Sequence, residues 1–164
     1  MNNFKRVADK IMSAEQAEKK AARWRAKNKK IVFTNGCFDI LHYGHVHYLA
    51  DAKKLGDYLV VGINSAASVK RLKGAHRPIN DDLTRFHLLA ALAFVDIVVE
   101  FDDDTPLELI KKINPDILVK GGDWQPSQII GSDFVLAGGG EVKSLPFVVG
   151  YSTTNIEAKI RSWK

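Results

Sequence analysis

Apolar and polar positions along the chain change period repeatedly, and each change marks an element. Ser13 followed by Gln16 forms a capping-box pattern, and Ala14, Ala17, Ala21 and Trp24 then recur at helical spacing, which predicts an amphipathic helix over about 14–28. Ile31-Val32-Phe33-Thr34 is a short β-prone run that stops at Asn35-Gly36, as a buried strand runs into a turn. Val46, Tyr48, Leu49, Ala52 and Leu55 return to helical spacing within 43–55, and Gly56 supplies the stop. Residues 58–63 are apolar almost without interruption, as a parallel strand buried on both faces requires. The alternation continues with a helix over 83–93, a strand over 97–99, and a helix over 106–113 behind a Thr105/Glu108 capping box. A strand over 117–119, a short helix near 125–130, a helix over 134–137, a strand over 142–145 and a closing helix over 154–161 complete it. Alternating elements with short connections predict an α/β fold, a Rossmann-like, open, mainly parallel five-stranded sheet flanked by helices. Residues 1–12 read as an N-terminal tail and 13–164 as one domain.

Composition narrows the class. With 164 residues, 46 % of them hydrophobic and 26 % charged, the chain suits one globular core. No apolar run approaches the ~20 residues that span a bilayer, and the first ten residues lack the apolar stretch of a secretory signal. The lone Cys37 excludes an internal disulfide and fits a reducing compartment, so a cytoplasmic location is expected. The formal charge of +5 is local: residues 1–30 carry ten Lys and Arg against three acids, a net +7, and the remaining 134 residues carry −2. The excess therefore belongs to one basic helix, whose cations read first as a solvated face and second as a polyanion surface.

Ligands of open α/β sheets bind outside the carboxyl ends of the strands, and the chemistry-bearing residues of this chain cluster there. After the first strand stand Asn35-Gly36-Cys37-Phe38-Asp39-Ile40-Leu41-His42-Tyr43-Gly44-His45, two imidazoles three residues apart where a helix begins. Free N–H groups and the helix dipole favour anions at such a point, and Gly36 and Gly44 allow a polyphosphate close to the backbone. Two histidines on one face can donate to phosphate oxygens and stabilise charge on a five-coordinate phosphorus, which suits nucleotidyl transfer. Competing readings are capping groups, a metal pair completed by Asp39 or His47, and satisfied core histidines; the glycine-rich setting favours phosphate. Neither GxxxxGK[ST] nor GxGxxG occurs.

Three further segments carry candidates. Lys70, Arg71 and Lys73, in a glycine-terminated loop after the second strand, read as cations over two phosphate-bearing substrates or as a solvated charge run. Lys120-Gly121-Gly122-Asp123 follows an apolar strand directly, which delivers a lysine and close-approach glycines to the ligand edge; Asp123 can instead cap a helix, and Trp124 is a wall or core residue. Ser152, Thr153 and Thr154 open the last helix as a second anion site, although plain capping accounts for one of them. Asp102-Asp103-Asp104 precedes Thr105-Pro106 and reads as negative charge at a helix N-terminus. Phosphoryl transfer needs little covalent help from the protein, so Cys37 is not assigned as a nucleophile.

Gly36, Phe38, Asp39, His42, Gly44 and His45 meet the pattern GxFDxxHxGH, and the chain thereby resembles the HxGH nucleotidyltransferase superfamily. SVKRLKGAHRPIN over 68–80, VKGGD over 119–123 and GYSTTNI over 150–156 are similar to bacterial D-glycero-β-D-manno-heptose 1-phosphate adenylyltransferases. The resemblance implies transfer of AMP from ATP to the heptose 1-phosphate, giving ADP-heptose and pyrophosphate for lipopolysaccharide or another surface glycan. It implies His42, His45 and Lys120 as catalytic residues. Asn35, Gly36, Cys37, Phe38, Gly44, Gly122, Ser152, Thr153 and Thr154 join them at the nucleotide. Asp39, Lys70, Arg71, Lys73, Arg85, Asp123 and Trp124 fall on the acceptor substrate. Mg2+ is expected with ATP and no protein metal site; the expected partners are ATP and a sugar 1-phosphate, without nucleic acid or membrane. A homodimer and a separate heptose kinase are also implied. A cytidylyl or adenylyl transferase acting on another small phosphate, such as glycerol 3-phosphate, is the nearest alternative, although its relatives commonly carry an arginine where this chain has Phe147 after Pro146. An RNA-binding or non-catalytic nucleotide-binding module is the remote one.

Overall fold

The structure, a computed structural model, describes residues 2–163; Met1 of the expected tail and Lys164 of the expected domain lie outside the described residues. The strands are β1 (Ile11–Met12), β2 (Ile31–Gly36), β3 (Tyr58–Asn64), β4 (Ile97–Phe101), β5 (Ile117–Gly121) and β6 (Glu141–Leu145). They form one sheet of order β1-β4-β3-β2-β5-β6 in which every pairing is parallel. The sheet therefore has six strands where five were expected. The additional one is a two-residue edge, Ile11 and Met12 opposite Val98 and Val99, too short for a periodic signal. With helix α1 (Asn3–Ala8), it carries the segment expected as a tail onto the sheet.

The remaining helices are α2 (Ala14–Arg25), α3 (Tyr43–Lys53), α4 (Ala66–Lys73), α5 (Asp82–Ala91), α6 (Leu107–Ile113), α7 (Ser132–Ala137) and α8 (Thr153–Arg161), with a 3-10 turn at Pro126–Gln128. The expected capping box of α2 is present, Ser13 and Gln16 each accepting from the other's backbone N–H. That of α6 is not: Pro106 occupies the cap, with no side-chain bond. Lys70, Arg71 and Lys73, expected in a loop, lie on α4, which Ser65 caps through Ser68 N and Gly74 ends.

Two cores sandwich the sheet. On one face Ile31, Phe33 and Val60 pack with Ala17, Ala21 and Trp24 of α2 and Leu109, Ile110 and Ile113 of α6; Trp24 stacks on Tyr58 at 3.8 Å. On the other, Val32, Leu59, Val61 and Ile63 pack with Tyr48, Leu49 and Ala52 of α3 and Phe86 and Leu89 of α5. Successive strand residues thus enter opposite cores, which is why the strands read as unbroken apolar runs. Each buried Val, Leu, Ile or Phe side chain contributes about 1.5–3 kcal/mol by leaving water. The strand order reverses direction between β2 and β5, and the crevice at their carboxyl ends is where the fold leaves room for a ligand.

Candidate functional site

Three adjoining cavities open at that crevice. The central cleft, about 180 Å³, is lined by Asn35, Gly36, Cys37, Phe38 and Asp39 from the end of β2 and its loop, together with His45, Tyr48, Lys73, Arg77, Lys120, Gly121, Phe147 and Thr153. Asn35 and Lys120 are shared with an apolar cavity of about 250 Å³ walled by Pro106, Trp124, Ile129 and Ile130. His45, Tyr48, Lys73, Phe147 and Thr153 are shared with one of about 400 Å³ that also includes His42, Gly44 and Ser152. Residues expected from four separate segments therefore converge. Lys70, Asp123 and Thr154 are exposed and are not among the residues lining these cavities.

The histidines stand where β2 hands over to α3. Phe38 turns the loop with φ of +44°, a conformation that costs a non-glycine residue energy and is found preferentially at functional sites. Its ring meets His45 edge-on at 5.2 Å, and His42 lies flat on His45 at 3.8 Å. His42 is the N-cap of α3 but makes no side-chain capping bond. Both Nδ1 atoms are buried without a hydrogen-bond partner among the described residues. Burial depresses the basicity of both rings; for His45, with His42 and Lys73 adding repulsion, the pKa is pushed down to about 4. Two neutral imidazoles with unspent polar atoms, beside the free amides of a helix start, form a site prepared for an anion.

Gly44 keeps that stack intact. A Cβ there would lie 3.1 Å from the His42 ring and 3.2 Å from Tyr151 Cβ. Gly44→Ala is expected to displace His42 and to lower turnover about tenfold or more, since misplaced catalytic groups lose far more rate than stability. Steady-state kinetics beside a thermal melt checks this; unchanged turnover would show that the ring position is immaterial.

Across the crevice, Lys120 Nζ reaches Asn35 Oδ1 at 3.4 Å and so spans the ends of β5 and β2. Burial lowers its pKa. Tyr48 holds the same two strands together from below, its hydroxyl 2.5 Å from Thr34 Oγ1 and donating to Val119 O at 3.3 Å; burial raises its pKa. Gly122, at φ of +113°, passes between Phe147 and Trp124, where a Cβ would come within 2.9 Å of one ring and 3.0 Å of the other. At α8, Ser152 is spent on capping by accepting from Asn155 N, and Thr153 is the hydroxyl that lines the cleft.

Several expected substrate contacts are placed elsewhere. Arg85 does not reach the cleft surface: its side chain is 0 % exposed, donates to Cys37 O and Asn64 O, and pairs with Asp82. It joins the ends of β2 and β3 and is not among the residues lining the cavities. Arg71 is also diverted, pairing with Asp104 at 2.9 Å and donating to the Asp102 carbonyl, so the acidic triplet neutralises it. Asp39 stays at the cleft, but the residue is only 2 % exposed and its carboxylate accepts from Ile79 N and Asn80 N and pairs with Arg77. Arg77 was not singled out in the sequence, although it lies within the SVKRLKGAHRPIN segment. Among the described residues no three His, Cys, Asp or Glu side chains gather as a metal-binding set. No helix there is long and apolar enough to cross a membrane.

The pattern of the cytidylyltransferase-like family matches residues 33–159. Bifunctional protein HldE of Trichlorobacter lovleyi is 54 % identical over 151 residues, 92 % of this chain and 31 % of that protein. The protein of the same name from Pectobacterium carotovorum is 57 % identical over 152 residues, 93 % of this chain and 32 % of its own length. The chain thus spans about a third of the curated relatives it matches. Among solved structures, a lipopolysaccharide core biosynthesis protein from Thermoplasma volcanium aligns with a TM-score of 0.60 and 31 % identity, over 73 % of this chain and 97 % of that one. Pantoate-beta-alanine ligase from Francisella tularensis, at TM-score 0.58 and 15 % identity over 92 % of this chain and 76 % of that one, shares the fold.

Proposed function

The chain belongs to the cytidylyltransferase-like family, and from that premise we propose that it transfers AMP from ATP to D-glycero-β-D-manno-heptose 1-phosphate. The observation that carries the reading is the stacked His42–His45 pair at the start of α3, whose Nδ1 atoms have no hydrogen-bond partner among the described residues, with His45 lining the same cleft as Lys120. The names of the relatives support the sugar: HldE for the curated proteins, lipopolysaccharide core biosynthesis for a solved one.

In this reading an oxygen of the sugar phosphate attacks the α-phosphorus in line. The bond from that phosphorus to the bridging oxygen breaks, and pyrophosphate leaves with the electron pair. A sugar phosphate is already ionised at neutral pH, so no strong base is needed, and catalysis rests on positioning and electrostatics. The imidazoles and Lys120 donate to phosphate oxygens as charge develops there. Thr153 and the α3 amides hold the triphosphate, and the apolar cavity beside Trp124, Ile129 and Ile130 suits the nucleoside. In this reading magnesium enters with the substrate as Mg-ATP, and among the described residues no three His, Cys, Asp or Glu side chains gather to hold it. Both substrates place the reaction in the cytoplasm, downstream of a kinase that makes the sugar 1-phosphate, and a homodimer is the assembly the resemblance favours.

Pyrophosphate release from ATP, CTP, GTP and UTP, each with both heptose 1-phosphate anomers and with glycerol 3-phosphate, tests the proposal. Selective release with ATP and the β anomer is expected. Release with CTP and glycerol 3-phosphate instead would move the chain to the neighbouring activity, despite Phe147 standing 68 % exposed where those relatives have a cation.

A further inference from the structure

Arg77 is built into the cleft by two carboxylates from distant parts of the chain. Its Nε pairs with Asp39 Oδ2 at 2.9 Å, and its Nη1 pairs with Glu157 of α8. Asp39 is itself immobilised, since Ile79 N and Asn80 N donate to its carboxylate at 2.8–2.9 Å and Asn80 Nδ2 donates to its carbonyl at 2.5 Å. The guanidinium side chain is 15 % exposed and lines the central cleft beside Lys73, His45 and Lys120. Nη2 has neither an ion-pair nor a hydrogen-bond partner among the described residues.

A guanidinium needed only to close a loop would spend its planar fork on that loop. Here two edges face carboxylates as ion pairs, without hydrogen-bond geometry at Nε, and one amino group is left over in a cleft that also carries two lysines, an arrangement suited to a phosphate. Which phosphate follows from position. Arg77 does not line the apolar cavity on the β5 side, and it comes from the connection after α4, on the β3 side of the β2 loop. The histidines and Thr153 belong to α3 and α8. We propose that Arg77 anchors the phosphate of the acceptor substrate, with Asp39 and Glu157 as its positioning residues, an assignment that rests on the transfer reaction proposed above. Its reach to Glu157 also ties the acceptor side of the cleft to α8, where the triphosphate would bind.

The test is a split between the two Michaelis constants. Arg77→Lys keeps a cation beside Asp39 but loses the fork, and is expected to raise KM for the sugar 1-phosphate by about tenfold or more while KM for ATP stays within about twofold. Glu157→Gln should move the acceptor KM in the same direction by a smaller factor, with a melting temperature close to that of the wild type. Equal rises in both constants, or an unchanged acceptor KM in Arg77→Lys, overturn the assignment. Should the wild type use glycerol 3-phosphate with CTP, the sugar reading fails while the same split on that acceptor decides Arg77. If no pair turns over, calorimetric titration with the heptose 1-phosphates and glycerol 3-phosphate decides it. Weaker binding to Arg77→Lys supports the anchor; equal binding, or none by the wild type, overturns it.

Discussion

His45→Ala is expected to lower turnover by about 10²–10³-fold, the loss typical of removing one donor aimed at developing charge, while the urea midpoint moves little. The stability cost is limited because the ring's Nδ1 has no hydrogen-bond partner among the described residues and the ring's one backbone contact is with Ile40. His42→Ala should behave similarly, and the double variant should lose less than the product of the two, since the rings are stacked at 3.8 Å and act as a unit. Wild-type turnover in both single variants would remove the imidazoles from the mechanism. Acid titration gives an independent check. Burial, reinforced by His42 and Lys73, holds the folded-state pKa at about 4, below the ordinary 6.5. Between these values the unfolded chain binds the extra proton, so the folded state is progressively penalised as pH falls from 6.5 toward 4 and carries no penalty above that window. Urea midpoints between pH 7 and 4.5 should fall more steeply for the wild type than for His45→Gln. Parallel curves would mean that His45 takes up its proton equally readily in the folded and unfolded chain, without the depression that burial imposes.

Arg85→Met should cost about 3–5 kcal/mol, the largest stability loss anticipated for a single substitution here. Arg85 Nη1 donates to Cys37 O at 2.7 Å and Nη2 to Asn64 O at 2.8 Å, with Asp82 as counter-ion and the guanidinium 5.6 Å from the Phe86 ring centre. Methionine matches the aliphatic stem but leaves two inward carbonyls without a donor and Asp82 without its partner. Arg85→Lys should also destabilise, by less, because one ammonium replaces a fork that spans two strand ends. Urea unfolding at pH 7 reads both. Cys37 lies at the entrance to the histidine loop, so residual folded Arg85→Lys should also turn over slowly. A midpoint unchanged in Arg85→Met would show that the carbonyls find other donors and that the buried arginine is not the brace described.

The α/β class, the parallel pairing and the crevice were legible in the chain because they depend on local period and on which runs are apolar. Val60 and Val61 face opposite cores, and a strand that serves both can only be apolar throughout. The placement of Asn35, Gly36 and Lys120 was legible for a related reason: they end such strands, and His45 opens the helix that follows one, so topology carries all four to one edge. The cations of the intervening segment were different. Lys73, Arg71, Arg77 and Arg85 lie within a short stretch of similar polarity. Yet one lines the cleft with no ion-pair partner among the described residues, one is neutralised by Asp102 and Asp104, one is paired with Asp39 and Glu157, and one is fully buried between Cys37 and Asn64. Residues 21 to 80 positions away make those choices, and a charged side chain's direction is set by the nearest partner in space, which periodicity does not encode. The same holds for β1, whose two residues acquire strand geometry only by pairing with Val98 and Val99. The order of apolar and polar residues determined the sheet and the edge at which the cleft opens; long-range ion pairing and burial decided which arginines line that cleft and which brace the strands.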